Sequence, residues 1–316
     1  MTLRVEHLTV EIPARSMLLR PVVDVSFEVE PGEVLGLVGE SGAGKSMTGS
    51  ALIGLLEPPA SISSGEIWLD GERIDKLNAE KLRQLRGRRI GSVFQDPQTS
   101  LHPLFGIGKQ IEDTILAHLA VDRGEARRRA LALMREVGIP QPEQRIDDYP
   151  HQFSGGQRQR IVIALALAAE PRFIIADEPT TALDMSIQAQ ILDLLRRLAS
   201  ERQMSMLLIT HDFGVIVQLA DRVAVMYAGR IVEIGTVRQM LHAPLHPYSQ
   251  RLLGCIPRIG ARPERLTQIP GSMPRLESIP EGCAFRPRCP SAHERCMMPP
   301  PLVSRGDDAV ACWLHV

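Results

Sequence analysis

The segment from Val34 to Leu56 constrains the fold of this chain more than any other. Its unbroken apolar run VLGLVG predicts a buried parallel strand, and a helix is predicted to end at Leu56. Between them lies GESGAGKS, which matches the pattern G-x-x-x-x-G-K-S/T in full. Glycines allow successive backbone N–H groups to wrap phosphate oxygens at the start of a helix. A strand, a phosphate loop and a helix in this order predict an α/β nucleotide-binding fold.

The phosphate loop and the first turn of its helix offer the groups that ATP and Mg²⁺ require. We expect Lys45 to reach the terminal phosphates and the hydroxyl of Ser46 to bind Mg²⁺. The residues predicted to hold the nucleotide here are Gly39, Ser41, Gly42, Gly44, Lys45, Ser46 and Met47.

Strands and helices alternate through much of the chain, which indicates a mostly parallel sheet. The first thirty residues differ, because their short alternating strands predict an antiparallel β subdomain. Helix follows helix over residues 106–170, so we expect an inserted helical subdomain at about 100–170. Ten prolines between Pro257 and Pro301 leave little room for a helix or a central strand in the tail.

Composition and charge limit the partners of the chain. The 316 residues, 44% of them hydrophobic, allow a large core, and a formal net charge of −1 gives no reason to expect nucleic acid as a partner. The N-terminal segment alternates apolar and polar residues, unlike a signal peptide. The longest apolar run, Ile161 to Ala169, is nine residues, whereas a membrane-spanning helix needs roughly 20. We expect a cytosolic chain that reaches a membrane only through a partner.

A second apolar strand, in FIIADEPT, ends in two carboxylates. Asp177 and Glu178 should lie at the carboxyl end of the sheet, where α/β folds bind their ligands. Neighbouring strand residues point in opposite directions, so the two acids should have different tasks. Asp177 suits Mg²⁺ coordination through bound water, and Glu178 suits polarising the attacking water. The alternative is an acid pair that only caps a helix.

The motif FSGGQRQR predicts a second anion site. Ser154, Gly155 and Gly156 precede a long helix, where free N–H groups and a hydroxyl can bind an anion, and Gln157 follows them. One ATP needs only one such cradle from one chain, so a second cradle in the same chain calls for an explanation.

With Gln95 in VFQDPQ, TALD at residues 181–184 and His211 in LLITHD, these motifs resemble the nucleotide-binding subunit of an ABC transporter over roughly residues 1–245. The resemblance implies a P-loop NTPase cassette with a RecA-like core, an N-terminal antiparallel β subdomain and an inserted helical signature subdomain. It also implies an ATPase whose two cassettes stack head to tail, each ATP lying between one subunit's phosphate loop and the other's signature helix. By the same resemblance Gln95 reaches Mg²⁺, Asp184 links the two sites and His211 contacts the γ-phosphate.

One position departs from that family. Its members usually carry an aromatic residue near the end of the first strand, where the ring stacks on adenine. Ile12 occupies the corresponding place and offers only apolar contact. We therefore predict weak discrimination between nucleotide bases.

Three further segments, DPQTSLHPLFGIGKQI, YPHQFSGGQRQR and HPYSQRLLGCIP, resemble the ATPase subunits of oligopeptide, dipeptide and nickel importers. This implies import of short peptides, with nickel or another small solute as the alternative. It also implies a second homologous ATPase, two transmembrane permease subunits, a periplasmic or extracellular solute-binding protein, and a peripheral location on the cytoplasmic face of the bacterial inner membrane. Leu101 to Ile107 would lie near the face that receives the permeases, or form an ordinary surface loop. A soluble ABC ATPase uncoupled from transport and a redox-regulated ATPase are the competing functions.

Residues 246–316 are predicted to form a C-terminal extension, and all five cysteines of the chain lie in it. Four of them lie in its proline-rich tail: Cys283, Cys289, Cys296 and Cys312. They are separated by five, six and fifteen residues, none of which is the C-x₂₋₄-C spacing of common zinc sites. A tail this poor in regular structure gains order if four thiolates hold one metal centre. The resemblance to peptide importers favours a 4Fe-4S cluster, while Zn²⁺ and thiols without metal are the alternatives. Cys255, in a predicted helix, is expected to pack against its neighbours.

Overall fold

The structure is a computed structural model that describes residues 1–15, 17–181, 183–256, 268–306 and 308–316. The chain divides into two compact units. The first unit contains Met1, Glu30–Gly32 and Lys76–Leu208, and the second contains Thr2–Val29, Glu33–Asp75 and Ile209–Val316.

Strands and helices alternate in the manner that the sequence predicts. The strands are β1 (Leu3–Pro13), β2 (Leu18–Val29), β3 (Val34–Val38), β4 (Ser61–Leu69), β5 (Glu72–Arg73), β6 (Ile90–Val93), β7 (Phe173–Asp177), β8 (Ser205–Thr210), β9 (Arg222–Tyr227), β10 (Arg230–Thr236), β11 (Val303–Arg305) and β12 (Asp308–Val310). The helices are α1 (Lys45–Leu52), α2 (Ala79–Arg88), α3 (Pro97–Ser100), α4 (Ile107–His118), α5 (Arg123–Glu136), α6 (Pro142–Arg145), α7 (Gly155–Leu167), α8 (Met185–Arg202), α9 (Phe213–Leu219), α10 (Val237–His242) and α11 (Pro247–Gly254). Short 3₁₀ turns connect several of them.

The second unit contains the predicted N-terminal antiparallel sheet. Its strands follow the order β2-β1-β4-β5, and each neighbouring pair is antiparallel. Alternate residues of β1 face the core, so that Leu3 and Val5 are fully buried while Arg4 between them is exposed. Apolar and polar residues therefore alternate in this segment because only one face of the strand is buried.

A second group of strands in the same unit carries the phosphate loop. The order is β11-β12-β10-β9-β3, with β3 parallel to β9 and the other neighbours antiparallel. Every residue of β3 is buried, as expected for a strand covered on both faces. The last two strands begin after Pro301, the final proline of the tail, where the chain regains the N–H groups that strand pairing requires.

The first unit contains β6 and β7, which are parallel, and a set of helices between them. The first four residues of β8, Ser205 to Leu208, belong to this unit as well, and the strand order is β8-β7-β6. Between Val93 and Phe173, all of whose residues are described, the chain forms helices and turns but no strand. This confirms the inserted helical subdomain of the predicted fold. The apolar run that begins at Ile161 is the buried second half of α7.

None of the helices in the described part of the chain has both the length and the hydropathy that a membrane crossing requires.

Candidate functional site

The phosphate loop joins β3 to α1 within the second unit. Gly44 caps the start of α1 with a φ of 105°, and Gly42 has a φ of 82°, conformations that L side chains rarely adopt. A Cβ atom on Gly44 would lie 2.3 Å from the carbonyl oxygen of Pro21. Glycine is therefore required at Gly44 both by backbone conformation and by the close approach of β2.

Lys45 lies inside the curve of this loop. Its side chain is buried, and its Nζ donates hydrogen bonds to the carbonyl oxygens of Gly39 at 2.8 Å and of Glu40 at 3.0 Å. Ser41 and Ser46 are exposed, and Met47 is half-buried on the first turn of α1. The arrangement holds a positive charge and a helix N-terminus together, which is what a phosphate chain binds.

Ile12, the predicted base contact, is half-buried near the end of β1 and is paired with Leu19 of β2. Its side chain is aliphatic, so stacking on a base is not available from this position. Weak base discrimination stays a prediction.

The first unit brings two predicted site residues together. Glu178 directly follows β7, and its Oε2 accepts a hydrogen bond from Nε2 of Gln95 at 3.1 Å. The same oxygen accepts a hydrogen bond from Oγ1 of Thr181 at 2.7 Å. Glu178 has a φ of 47°, a left-handed backbone that costs on the order of 1–3 kcal/mol. Such strain is common where a side chain must be held in one direction for function.

Thr181 is a contact that the sequence analysis does not predict. The resemblance gives its motif, TALD, a role only through Asp184, although a hydroxyl three residues after an acid is within reach of a turn. Asp177, at the end of β7, is half-buried.

The signature residues form the start of α7 in the first unit. Oγ of Ser154 accepts from the N–H of Gln157 at 3.3 Å, and Oε1 of Gln157 accepts from the N–H of Ser154 at 3.1 Å. This reciprocal capping box holds the first turn in place. A Cβ on Gly156 would lie 2.6 Å from Cγ2 of Ile187, so glycine lets the start of α7 approach α8.

Asp184 and His211 occupy helix-flanking positions. Oδ1 of Asp184 accepts from the N–H groups of Ser186 at 3.1 Å and Ile187 at 3.0 Å, which caps α8. His211 follows β8 in the second unit and is exposed. Neither placement tests their predicted roles toward a second cassette or the γ-phosphate.

The four tail cysteines line one small cavity in the second unit, together with His246, Phe285 and Trp313. Burial, together with the nearby Cys296, Cys289 and Cys312, raises the pKa of the Cys283 thiol to about 11. Within the described part of the chain, however, no set of three or more His, Cys, Asp or Glu side chains is arranged to hold a metal ion. The four cysteines of the predicted metal site thus lie around one cavity, but the structure does not arrange them to hold an ion. Cys255 is half-buried at the end of α11.

Each residue of the segment His246-Pro247-Tyr248, which precedes the tail, makes a different local contribution to the structure. Burial lowers the pKa of His246 to about 3, so the imidazole is neutral, and its Nδ1 accepts from the N–H of Tyr248 at 3.0 Å. Pro247 occupies the first turn of α11, where a missing N–H costs nothing. The hydroxyl of Tyr248 then accepts from the N–H of Glu40, in the phosphate loop, at 3.0 Å.

The chain is similar in sequence to known proteins. The family model described as "ABC transporter" matches residues 22–181, and the model described as "Oligopeptide/dipeptide transporter, C-terminal region" matches residues 232–296. A putative peptide import ATP-binding protein of Brucella abortus is 46% identical over 302 residues, which cover 96% of this chain and 91% of that protein. The dipeptide transport ATP-binding proteins DppD of Bacillus subtilis and Escherichia coli are 44% and 42% identical, covering 99% and 96% of this chain and 94% and 92% of those proteins.

Solved structures are similar as well. An ATP-binding cassette solved as a dimer in a post-hydrolysis state with ADP and Pi has a TM-score of 0.67 and 28% identity, covering 75% of this chain and 99% of that one. The cbiO1 protein of Clostridium perfringens, part of the cbiONQ ABC transporter complex, has a TM-score of 0.65 and 29% identity, covering 76% of this chain and 90% of that one.

Proposed function

This chain belongs to the ABC transporter family, and we propose that it is the ATP-hydrolysing subunit that powers the import of short peptides. The observation that carries the ATPase part is the phosphate loop with Lys45 held inside it. The solute class rests on relatives named for peptide or dipeptide import, which are similar over nearly the whole chain. The proposed division is a cassette at residues 1–245 and an extension at residues 246–316.

The proposed reaction is in-line attack of water on the γ-phosphate, which depends on positioning and charge neutralisation. Lys45 and the N–H groups of the loop neutralise phosphate charge. Glu178 polarises the attacking water, while Thr181 and Gln95 hold its carboxylate through Oε2. Ser46, Gln95 and Asp177 are the proposed Mg²⁺ residues, because Mg²⁺ prefers oxygen ligands and bound water. His211 is proposed to contact the γ-phosphate.

We also propose a head-to-tail partner cassette. Ser154, Gly155 and Gly156 offer helix N–H groups that could bind a partner's nucleotide, and Asp184 would link the two sites. A similar cassette has been solved as a dimer, which supports an assembly of two cassettes.

The permease subunits are proposed to dock near the segment from Leu101 to Ile107 in the first unit. Leu101 and Ile107 themselves are buried, whereas Leu104 and Phe105 between them are 75% and 44% exposed. Adjacent exposed apolar side chains are typical of interaction sites. The chain would then be peripheral to the cytoplasmic face of the inner membrane, and a solute-binding protein would join through the permeases.

The transport proposal is tested in vesicles that contain the two permeases, the binding protein and both ATPases. We expect ATP-dependent uptake of a labelled dipeptide, and no uptake when this chain carries Glu178→Gln. Uptake of Ni²⁺ without uptake of dipeptide would replace the peptide assignment, and ATP hydrolysis without association with the permeases would favour an uncoupled ATPase.

We further propose that Cys283, Cys289, Cys296 and Cys312 hold a 4Fe-4S cluster. Soft thiolates are the ligands of such clusters. All four cysteines line one small cavity, which supports a shared site, and the resemblance to peptide importers favours a cluster over Zn²⁺. A bound cluster would cross-link parts of the extension that are distant in sequence. The burial that raises the thiol pKa values means that loading must release protons.

The cluster proposal is tested by anaerobic purification with iron and sulfide analysis. We expect about four iron and four sulfide per chain and a brown colour. The Cys289→Ser variant should lose most of the iron, whereas the matched Cys255→Ser variant should keep it. A colourless protein with stoichiometric zinc, or one without metal, would contradict the proposal.

A further inference from the structure

An ion pair inside the second unit joins the cysteine-bearing extension to the phosphate loop. Arg288 lies in the 3₁₀ turn Arg286–Arg288, and its side chain is only 7% exposed. Its Nη1 donates to both carboxylate oxygens of Glu40, at 3.0 and 3.2 Å. Glu40 is the second residue of GESGAGKS, so a nearly buried cation of the tail is directed at the loop itself.

Arg288 is held in place by its other contacts. Its Nε donates to the carbonyl oxygen of Pro270 at 2.9 Å, and Nη1 donates to the hydroxyl of Tyr227 at 3.3 Å. The guanidinium carbon also lies 5.8 Å from the ring centre of Tyr227 and 6.0 Å from that of Phe285. A planar guanidinium with this many partners has little freedom, so Glu40 has a fixed partner.

The main chain of Glu40 is also held by a residue of the C-terminal extension, Tyr248. Its N–H donates to the hydroxyl of Tyr248, a residue that is completely buried. The Tyr248 ring packs against Tyr227 and Phe285, with ring centres 4.7 and 5.3 Å apart. An aromatic cluster thus fixes both Tyr248 and the surroundings of Arg288.

The carbonyl oxygen of Glu40 in turn contacts Nζ of Lys45 at 3.0 Å. Glu40 therefore connects Arg288 and Tyr248 to the lysine of the phosphate loop. We propose that Arg288 and Tyr248 are positioning residues for ATP binding, which act through Glu40 by holding the phosphate loop in its binding conformation. The inference rests on the proposed function of that loop, and it makes the extension a part of the nucleotide site.

The test measures Kd for Mg-ATP on the full chain, together with KM, kcat and the melting temperature. Arg288→Ala and Glu40→Ala should each weaken ATP binding by about 10-fold, while kcat at saturating ATP stays within about threefold. Because Arg288 acts through Glu40, the double variant should bind no more weakly than the worse single variant. Arg288→Lys keeps the positive charge but lacks the planar, forked guanidinium, so its loss of ATP affinity should lie between those of the wild type and Arg288→Ala. If Arg288→Ala does not fold, the Kd of Arg288→Lys tests the inference instead.

The matched control is Arg286→Ala, two residues away in the same turn, since the hydrogen bond of Arg286 goes to the sulfur of Met297. It should leave Kd unchanged. Unchanged ATP binding in Arg288→Ala, an equal loss in Arg286→Ala, or additive losses in the double variant would overturn the inference. A wild-type chain that binds no ATP would instead refute the proposed function.

Discussion

Replacing Glu178 with Gln is expected to lower ATP hydrolysis by about 10²–10⁴-fold and to leave the Kd for ATP nearly unchanged. Gln keeps the size of the side chain and an oxygen that can accept from Thr181 and Gln95, so the local geometry survives. It cannot take a proton from the attacking water, so only the chemical step is lost. Phosphate release and equilibrium ATP binding, measured on the same preparation, separate the two effects.

The matched control is Glu201→Gln, which removes an exposed carboxylate of α8 whose partner is Arg197 at 3.3 Å. It should hydrolyse ATP at the wild-type rate. Near-wild-type hydrolysis in Glu178→Gln would show that another group polarises the water. If both ATP binding and hydrolysis fell together, Glu178 would be needed for the structure of the site rather than for the chemical step.

Lys45→Ala is expected to cause the second large loss. The hydrolysis rate should fall by about 10²–10³-fold, because one fixed positive charge that stabilises the transition state disappears. The Kd for ATP should also rise by about 10-fold or more, since a charged hydrogen bond to phosphate is removed. This joint loss differs from that of Glu178→Gln, in which binding is spared.

Lys81→Ala provides the comparison, because Lys81 is an exposed cation on α2. It should change neither the Kd nor the rate. Melting temperatures are needed for Lys45→Ala, whose amine contacts the loop carbonyls of Gly39 and Glu40. A folded Lys45→Ala protein that binds ATP as tightly as the wild type would contradict the role given to this lysine.

The fold and the phosphate loop could be predicted because their causes are local. Gly44 has a positive φ beside a strand that leaves no room for a Cβ atom, and the sequence shows that requirement directly as a glycine. The buried strand β3 likewise appears as an unbroken apolar run. Such features depend on residues that are close together in the chain, so they can be read from a single sequence.

The contacts of Glu40 could not be predicted in the same way. Arg288 is separated from Glu40 by 248 positions and looks like any arginine of a polar tail. Only the packing of Tyr227, Tyr248 and Phe285 decides which arginine is buried against the loop. The convergence of the four cysteines depends on tertiary packing as well. Their grouping in one tail predicted a shared site, although their spacing matches no common zinc site.

The final strands of the chain have one more consequence. β12 pairs with β10 through Glu233 with Val310 and Ile234 with Ala309, and Ala311 donates to the carbonyl oxygen of Val232 at 2.8 Å. Without these partners, β10 would present a row of unsatisfied N–H and C=O groups, the kind of exposed edge along which foreign chains add and aggregates grow. β12 and Ala311 thereby cover an edge of β10 that would otherwise be open to pairing with another chain.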